Sequence, residues 1–243
     1  MRTPPPSSTA GAPEVDLAER IARLAAVAAD LVQPGMTVGL GTGSTADAVI
    51  HELGRRVAEG LTFTGVATSC RTEALARDLG IPLTTLDAVD RVDLGIDGAD
   101  EIAPNLDAIK GKGGALLYEK LVALSCEQFV LVATTEKNVE RLGERTALPV
   151  EIVRFGWPQT ARRLADLGFS PKLRVPASNK QPFVSDNGSY VLDCAIKPMD
   201  DPLAVSAVVK AVSGVIEHGL FLGFARLAMQ VMPDGEIVRR VRA

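Results

Sequence analysis

One turn-rich segment of the chain combines side chains that could move a proton with side chains that could stabilise an anion. Residues 97–120 read DGADEIAPNLDAIKGKGGALLYEK and include the carboxylates Asp97, Asp100 and Glu119, two closely spaced lysines and, around them, the glycines Gly111, Gly113 and Gly114. Carboxylates can transfer protons, ammonium groups can stabilise negative charge, and glycines let backbone N–H groups approach a ligand closely. This mixture of residue types predicts an active site.

The position of this segment supports the same prediction. Val92, Leu94 and Ile96 alternate with other residues as in a β-strand, so Asp97 lies at the carboxyl end of a predicted strand. Open α/β sheets bind their ligands at the carboxyl ends of the strands. We therefore expect the side chains that follow this strand to face a ligand.

A glycine-rich loop earlier in the chain is a second candidate site. A short buried strand is predicted up to Leu40, GTGST follows at residues 41–45, and a helix begins directly afterwards. This order aims helix N-terminal amides at an anion. No lysine follows Gly43 and the glycines are evenly spaced, which disfavours both ATP and NAD. The residues alone leave two interpretations open, phosphate binding or a tight turn capped by Ser44 or Thr45.

Composition limits the classes of partner. The chain has 243 residues, is 47% hydrophobic and carries a net charge of −4, with no basic run longer than a pair. This disfavours nucleic acid as a partner, because nucleic acid needs a positive patch. Three cysteines far apart and two histidines predict neither a disulfide framework nor a zinc site, and they suit a reducing cytoplasm. The apolar runs are too short to span a membrane.

The order of predicted elements indicates the fold class. Helices and strands alternate in the first part of the chain, which predicts a doubly wound, mainly parallel α/β sheet. Beyond Leu148 the pattern changes, with an Asn-Gly hairpin signal at 187–188 and an order similar to a small α+β ferredoxin-like module. We predict three parts: a disordered Pro/Ser-rich tail at 1–16, an α/β domain at 17–147 plus 221–243, and a ferredoxin-like second domain at 148–220.

Taken together, the motifs resemble those of the type A ribose-5-phosphate isomerase family. The matching stretches are GLGTGST at 39–45, DGADE at 97–101, IKGKGGALLYEK at 109–120 and LPVEIV at 148–153. The resemblance covers nearly the whole chain from the first helix onward. It implies a cytoplasmic aldose–ketose isomerase of the pentose phosphate pathway, a homodimer or homotetramer, that interconverts ribose 5-phosphate and ribulose 5-phosphate through a cis-enediol. It also implies that no metal or cofactor takes part.

The resemblance assigns proton transfer to Glu119, which the residues alone would not select. Leu117, Leu121 and Leu124 form the predicted buried stripe of the helix that carries Glu119, so the pattern alone indicates a solvated surface glutamate. With the resemblance, the opposite face of this helix is expected to turn towards the site.

The resemblance also implies the remaining site residues. Asp97 and Asp100 match paired aspartates that open the sugar ring and bind its hydroxyls, and Lys110 matches a lysine beside the reacting oxygens. Aspartates are also common in turns, and two carboxylates this close could share a proton. Lys112 is expected to contribute only its backbone. The implied substrate-binding residues are Thr42, Gly43, Ser44, Thr45, Gly98, Ala99, Gly111, Lys112, Gly113 and Lys137.

Two departures from the family pattern and two other classes of protein need consideration. Ile21 stands where some relatives have a phosphate-binding lysine, which Arg20 or Arg23 could replace, and Arg226 stands where relatives often have aspartate. The alternatives are a non-catalytic sugar-phosphate sensor and a coenzyme A transferase or amino-sugar phosphate deaminase on the same scaffold. Retention of Glu119 and both aspartates favours the isomerase.

Overall fold

The computed structural model describes residues 15–178 and 180–242. Residues 1–14, which hold most of the predicted tail, lie outside this part. Val15 donates its N–H to the carbonyl of Pro233 at 2.9 Å, and the carboxylate of Asp16 caps the first helix. No helix within the described ranges is long and apolar enough to cross a membrane.

The described part of the chain contains six α-helices and fourteen strands. The helices are α1 (Leu17–Ala29), α2 (Ser44–Ala58), α3 (Cys70–Asp78), α4 (Leu116–Leu124), α5 (Trp157–Asp166) and α6 (Pro202–Lys210). The strands are β1 (Thr37–Leu40), β2 (Thr64–Ala67), β3 (Leu83–Thr84), β4 (Val92–Asp97), β5 (Glu101–Ile102), β6 (Ala108–Ile109), β7 (Cys126–Thr134), β8 (Leu148–Ile152), β9 (Ser170–Leu173), β10 (Tyr190–Ala195), β11 (Val215–His218), β12 (Leu220–Phe221), β13 (Leu227–Val231) and β14 (Ile237–Val241).

The largest sheet has seven strands in the order β14-β13-β7-β4-β1-β2-β3. All neighbouring pairs are parallel except β13 and β14, which form an antiparallel hairpin at the edge. The predicted doubly wound, mainly parallel α/β fold is therefore confirmed. The strand order reverses at β1, so the loops after β1 and β4 diverge there and leave a crevice, the usual ligand position in such sheets.

The core of this sheet explains why β1 and β4 are so rigidly placed. Leu40 and Leu94 are almost completely buried, as are Leu24 of α1 and Ile50 and Leu53 of α2, which pack on the sheet. Full burial of a leucine or isoleucine side chain contributes about 1.5–3 kcal/mol. The strands that carry the candidate site thus end at fixed points.

A second sheet has four antiparallel strands in the order β11-β8-β10-β9. The chain order β8-α5-β9-β10-α6-β11 is the ferredoxin-like arrangement predicted for this part. The exact division of the chain into two domains stays a prediction.

A small third sheet, β12-β6-β5, was not predicted, because two-residue strands leave no periodic signal in a sequence. It fixes the start of the glycine-rich turn: β6 ends at Ile109, and the next residue, Lys110, donates its N–H to the carbonyl of Gly219 at 2.9 Å.

Candidate active site

A cavity of about 370 Å³ opens where the loops after β1 and β4 diverge. Every predicted site residue except Asp97 lines it. The lining residues are Thr42, Gly43, Ser44, Thr45, Gly98, Ala99, Asp100, Lys110, Gly111, Lys112, Gly113, Glu119 and Lys137. The structure thus brings the loop after β1, the segment after β4, the first turn of α4 and the segment after β7 to one place.

Three buried ionisable side chains meet beside the cavity, and we call Asp97, Lys110 and Glu119 the Lys110 cluster. The ammonium nitrogen of Lys110 lies 3.0 Å from Asp97 Oδ2 and 3.3 Å from Glu119 Oε2. Each of the three residues is at most 3% exposed. The ammonium group also donates to the carbonyl of Gly98 at 2.6 Å. These contacts hold one cation between two carboxyl groups, one of which lines the cavity.

Backbone amides fix the Asp97 carboxylate. Its Oδ1 accepts the N–H groups of Thr42 at 3.1 Å and Gly98 at 2.7 Å. At Gly41, a Cβ would lie 2.3 Å from the same oxygen, so only glycine allows this approach. With Oδ1 held in this way, Oδ2 is left to face Lys110.

Burial sets the protonation of the cluster. It raises the pKa of Glu119 to about 8, an effect that the charge of Lys110 opposes and that of Asp97 increases. Burial raises the pKa of Asp97 too. Burial alone would lower the pKa of Lys110, but the two neighbouring carboxyl groups raise it. Neither Asp97 Oδ2 nor Glu119 Oε2 accepts a hydrogen bond from any described residue. The site therefore holds a charged lysine beside carboxyl oxygens that have capacity for a proton or a ligand.

Helix α4 differs from its predicted orientation. Leu121 and Leu124 are 44% and 66% exposed, whereas Glu119 is 3% and Lys120 7% exposed, so the predicted buried leucine stripe was wrong. The apolar pattern misleads because the helix buries two charged side chains in specific contacts. Glu119 meets Lys110, and Lys120 meets Glu217 at 2.8 Å.

The loop after β1 leads into α2 without a side-chain cap. The N-cap residue is Gly43, at a φ of 127°, and Ser44 and Thr45 lie in the first helical turn. The interpretation of the loop as a turn capped by Ser44 or Thr45 is therefore wrong. The first amides of an α-helix have no partner within the helix, so this end of α2 offers donors to an anion at the cavity wall, close to Lys137.

A group of hydroxyls that sequence reasoning missed supports this loop. Thr42 Oγ1 lies within 3.0 Å of the hydroxyl oxygens of Thr68, Ser69 and Thr72, and Thr72 donates to the carbonyl of Gly41 at 2.9 Å. Thr68 and Ser69 directly follow β2, and their position at a strand end was the only available signal.

Neither of the two arginines considered for the first helix lines the cavity. Arg20 is buried and pairs with Glu136 at 2.6 Å, and Arg23 pairs with Glu19 on its own helix. No group of three or more His, Cys, Asp or Glu side chains within residues 15–178 and 180–242 could hold a metal ion.

Comparison with known proteins shows consistent similarities. A family model described as ribose 5-phosphate isomerase A (phosphoriboisomerase A) matches residues 64–235. The chain is 53% identical to the ribose-5-phosphate isomerase A of Roseiflexus castenholzii over 215 residues, 88% of this chain and 92% of the relative. The ribose 5-phosphate isomerase A structure from Methanocaldococcus jannaschii has a TM-score of 0.87 at 33% identity, over 93% of this chain and 100% of that one. A D-ribose-5-phosphate isomerase in complex with phospho-erythronic acid has a TM-score of 0.90 at 31% identity, over 94% of this chain and 100% of that one.

Proposed function

The chain belongs to the ribose 5-phosphate isomerase A family and interconverts ribose 5-phosphate and ribulose 5-phosphate, and we propose that Glu119 carries the proton in this reaction. The isomerisation needs a base that takes a proton from the carbon beside the carbonyl and returns it to the neighbouring carbon. One observation carries the assignment: Glu119 lines the cavity, is buried beside Lys110, and has an oxygen, Oε2, that accepts no hydrogen bond from the described residues. A positioned base contributes on the order of 10²–10⁴-fold to rate.

Lys110 supplies the charge that the intermediate needs. When Glu119 takes the proton, negative charge develops on the oxygen of a cis-enediolate. The ammonium group of Lys110 is fixed by the Gly98 carbonyl and by Asp97, so it is placed before the reaction begins. Such preorganised charge is usually a large part of catalysis. A carboxyl group with a pKa of about 8 is also suited to both accepting and returning the proton near neutral pH.

The two aspartates have different surroundings, which supports different roles. Asp100 lines the cavity, and we assign to it the binding of substrate hydroxyls and the opening of the sugar ring. Asp97 is 1% exposed and does not line the cavity, so it acts through Lys110 by holding the ammonium group in place.

The substrate phosphate is assigned to residues 42–45, which are the end of the loop after β1 and the start of α2, and to Lys137. Both lie in the cavity wall, and together they offer backbone donors and a cation. The relative in complex with phospho-erythronic acid supports the binding of a phosphorylated, hydroxylated chain, because that ligand carries a phosphate and a carboxylate on such a chain.

We also propose the setting in which the enzyme works. It acts in the cytoplasm as a homodimer or homotetramer, without metal or cofactor, and residues 17–147 with 221–243 and residues 148–220 form separate domains. The three free cysteines and the net charge of −4 support a reducing compartment and a small-molecule partner.

The test is an isomerisation assay of the full chain with ribose 5-phosphate and a chelator, following ribulose 5-phosphate. Glu119→Gln should lower kcat by about 10²–10⁴-fold. Glu151→Gln is the matched control, since Glu151 is also a buried glutamate but lies outside the cavity, and it should keep near wild-type activity. Near-full activity in Glu119→Gln would show that another group is the base. A wild type that binds ribose 5-phosphate without converting it would favour the sensor class.

A further inference from the structure

The turn at residues 111–114 needs support from outside itself. Gly111 and Gly114 have φ angles of 109° and 84°, in the region that favours glycine. Among the described residues, one backbone hydrogen bond closes the turn, from the N–H of Gly114 to the carbonyl of Gly111 at 3.0 Å. Its neighbours therefore decide where the other peptide groups of this turn point.

An arginine of the four-stranded sheet region supplies that support. Arg174, directly after β9, donates from Nη1 to the carbonyls of Gly111 at 2.9 Å and Lys112 at 3.1 Å. Its Nε donates to Asp193 Oδ2 at 2.9 Å, and its Nη2 donates to Asp193 Oδ1. A planar guanidinium held on two sides by one carboxylate has a fixed orientation, so its remaining donors are aimed at the turn.

The geometry of the peptide bond determines which way the N–H groups of this turn point. In a trans peptide the C=O and the following N–H point in opposite directions, and the described chain has no cis peptide bonds. The Gly111 carbonyl is held by Arg174, and the next N–H, of Lys112, meets Asp100 Oδ2 at 3.0 Å on the cavity wall. The side away from Arg174 is therefore the cavity side.

The same reasoning applies to the next peptide group. The carbonyl of Lys112 is also held by Arg174, so the N–H of Gly113 points away from the arginine. Gly113 lines the cavity, and among the described residues its N–H has no hydrogen-bond partner. It is a donor directed at whatever occupies the cavity.

An aromatic ring closes the turn from the same side. A Cβ on Gly114 would lie 2.2 Å from Phe183 Cζ, so the ring is packed directly on the turn. The guanidinium of Arg174 lies 5.8 Å from the centre of that ring, and the N–H of Phe183 donates to the carbonyl of Arg174 at 2.8 Å. Arginine and ring form one support under the turn.

We propose that Arg174 is a positioning residue of the isomerisation, which orients the turn so that the Gly113 N–H donates to the substrate oxygen that gains charge. The inference rests on the proposed function, because it assumes that the cavity holds the reacting sugar. Arg174 acts through the turn and touches neither the substrate nor the Lys110 cluster. A backbone donor that acts on the developing charge affects kcat more than KM.

The test compares the full-length wild type with Arg174→Ala in the ribose 5-phosphate assay. Arg174→Ala should lower kcat by about 10- to 100-fold, the effect of losing a hydrogen bond from a charged group. KM should change much less. Millimolar guanidinium should restore part of the lost kcat, since a small cation can occupy the vacated site beside Asp193. The midpoint of the pH dependence of kcat/KM should stay that of the wild type.

Arg154→Ala is the matched control. Arg154 follows β8 and stacks on Tyr190 at 5.2 Å, but it has no contact with the turn. It should keep wild-type kcat and show no response to guanidinium. If Arg174→Ala fails to fold, Arg174→Lys is measured instead. It should still show a kcat lowered by about tenfold, because an ammonium group has three donors and cannot bind both oxygens of Asp193 and two carbonyls at once.

Two results would overturn the inference. One is a kcat within about threefold of the wild type in Arg174→Ala, or in Arg174→Lys where alanine prevents folding. The other is a loss that guanidinium does not restore and that shifts the pH midpoint, which would indicate general damage to the site. The same measurements distinguish failure of the role proposed for Arg174 from failure of the proposed isomerase function. An inactive wild type would refute the isomerase, whereas an active wild type with an equally active Arg174→Ala would refute only the role of Arg174.

Discussion

Glu119 and Lys120 are neighbours in helix α4, and each belongs to a different buried charge cluster. Glu119 is part of the Lys110 cluster, and Lys120, Glu217 and His218 form a second group, here called the Lys120 cluster. The ammonium groups of the two lysines both lie near the ring of Phe221, 5.4 Å and 5.0 Å from its centre. The two clusters thus share a helix and an aromatic neighbour but differ in how completely their polar groups are paired.

The Lys120 cluster is closely paired. The ammonium group of Lys120 donates to Glu217 Oε1 at 2.8 Å and to the carbonyl of His218 at 2.6 Å, and Glu217 Oε2 accepts from Lys210 at 2.7 Å. Burial alone would raise the pKa of Glu217, but the two lysines hold it at about 2. This glutamate is therefore a permanent anion whose partners are all supplied by the protein.

The Lys110 cluster has one cation for two carboxyl groups. Two of its buried oxygens, Asp97 Oδ2 and Glu119 Oε2, accept no hydrogen bond from the described residues, and burial raises the pKa of Glu119 to about 8. Buried polar groups are normally satisfied, so such exceptions need an explanation. In this pair of clusters, the closely paired Lys120 cluster supports the fold, whereas the Lys110 cluster has carboxyl oxygens short of partners beside the cavity, where a ligand and a proton can use them.

The largest expected effect is a difference in kcat between variants of Lys110 and Lys120. Lys110→Met should lower kcat by about 10²–10³-fold, because it removes the charge beside the developing enediolate. Lys120→Met should keep kcat within a few-fold, since the Lys120 cluster does not line the cavity. Steady-state kinetics at a temperature where both variants are folded is the measurement. Equal losses in the two variants would mean that both clusters serve the reaction.

The second effect is a difference in stability between the same variants. Here Lys120→Met should lose more than Lys110→Met. Lys120→Met leaves Glu217 and the carbonyl of His218 without their buried cation, which should cost about 3 kcal/mol. The cost is at the low end for a buried pair because Lys210 remains beside Glu217. Tm should fall by roughly 6–12 °C. Lys110→Met should cost less, because carboxyl groups with a raised pKa can become protonated. A larger loss of Tm in Lys110→Met would contradict the comparison.

The third effect is the pH dependence of the reaction. Glu119 accepts a proton only when it is ionised, and its pKa in the free enzyme is raised to about 8. The value of kcat/KM should therefore rise by about tenfold per pH unit below pH 8 and then level off. The measurement is kcat/KM between about pH 6.5 and pH 9, and the residual activity of Glu119→Gln should lack this rise. If kcat/KM of the wild type does not change with pH, Glu119 is already ionised at about pH 6.5.

Local patterns predicted the sheet well but not the surroundings of the site. The alternation at Val92, Leu94 and Ile96 gave the strand that ends at Asp97, and the Asn-Gly signal at 187–188 lies in a turn before β10. Motif resemblance, and not periodicity, selected Glu119. In α4 the apolar pattern gave the wrong buried face, because two charged contacts outweigh the exposure of two leucines.

The contacts that sequence reasoning missed join residues far apart in the chain. Arg174 reaches the carbonyl of Gly111, 63 positions earlier, and Lys120 reaches Glu217, 97 positions later. A single sequence has no signal for such pairs, because hydrophobic period and turn chemistry are local. The two-residue strands β5, β6 and β12 were missed because strands this short have no periodic signal.

The smallest expected effect concerns stability in acid. Burial lowers the pKa of His218 to about 4, with the charge of Lys120 adding to the effect and that of Glu217 opposing it. Because the folded pKa lies below the usual value of about 6.5, unfolding takes up a proton between these values and stability falls as pH drops through this window. His218→Gln should remove this loss, about 1–2 kcal/mol at pH 5.

Glu119 should change the free energy of unfolding with pH in the direction opposite to His218. Its folded pKa lies above the usual value, so stability falls as pH rises from about 4.5 towards about 8. Thermal unfolding of the wild type and both variants at about pH 5, 7 and 9 measures both slopes. Between about pH 4.5 and pH 6.5 the two contributions oppose each other. His218→Gln should therefore make stability fall more steeply from about pH 5 to pH 7 and leave the alkaline side unchanged, whereas Glu119→Gln should make stability rise over the acid side and flatten the alkaline side. Flattening of the alkaline side by His218→Gln would mean that the clusters titrate as one unit through Phe221, and their separation into a structural and a reactive cluster would be wrong.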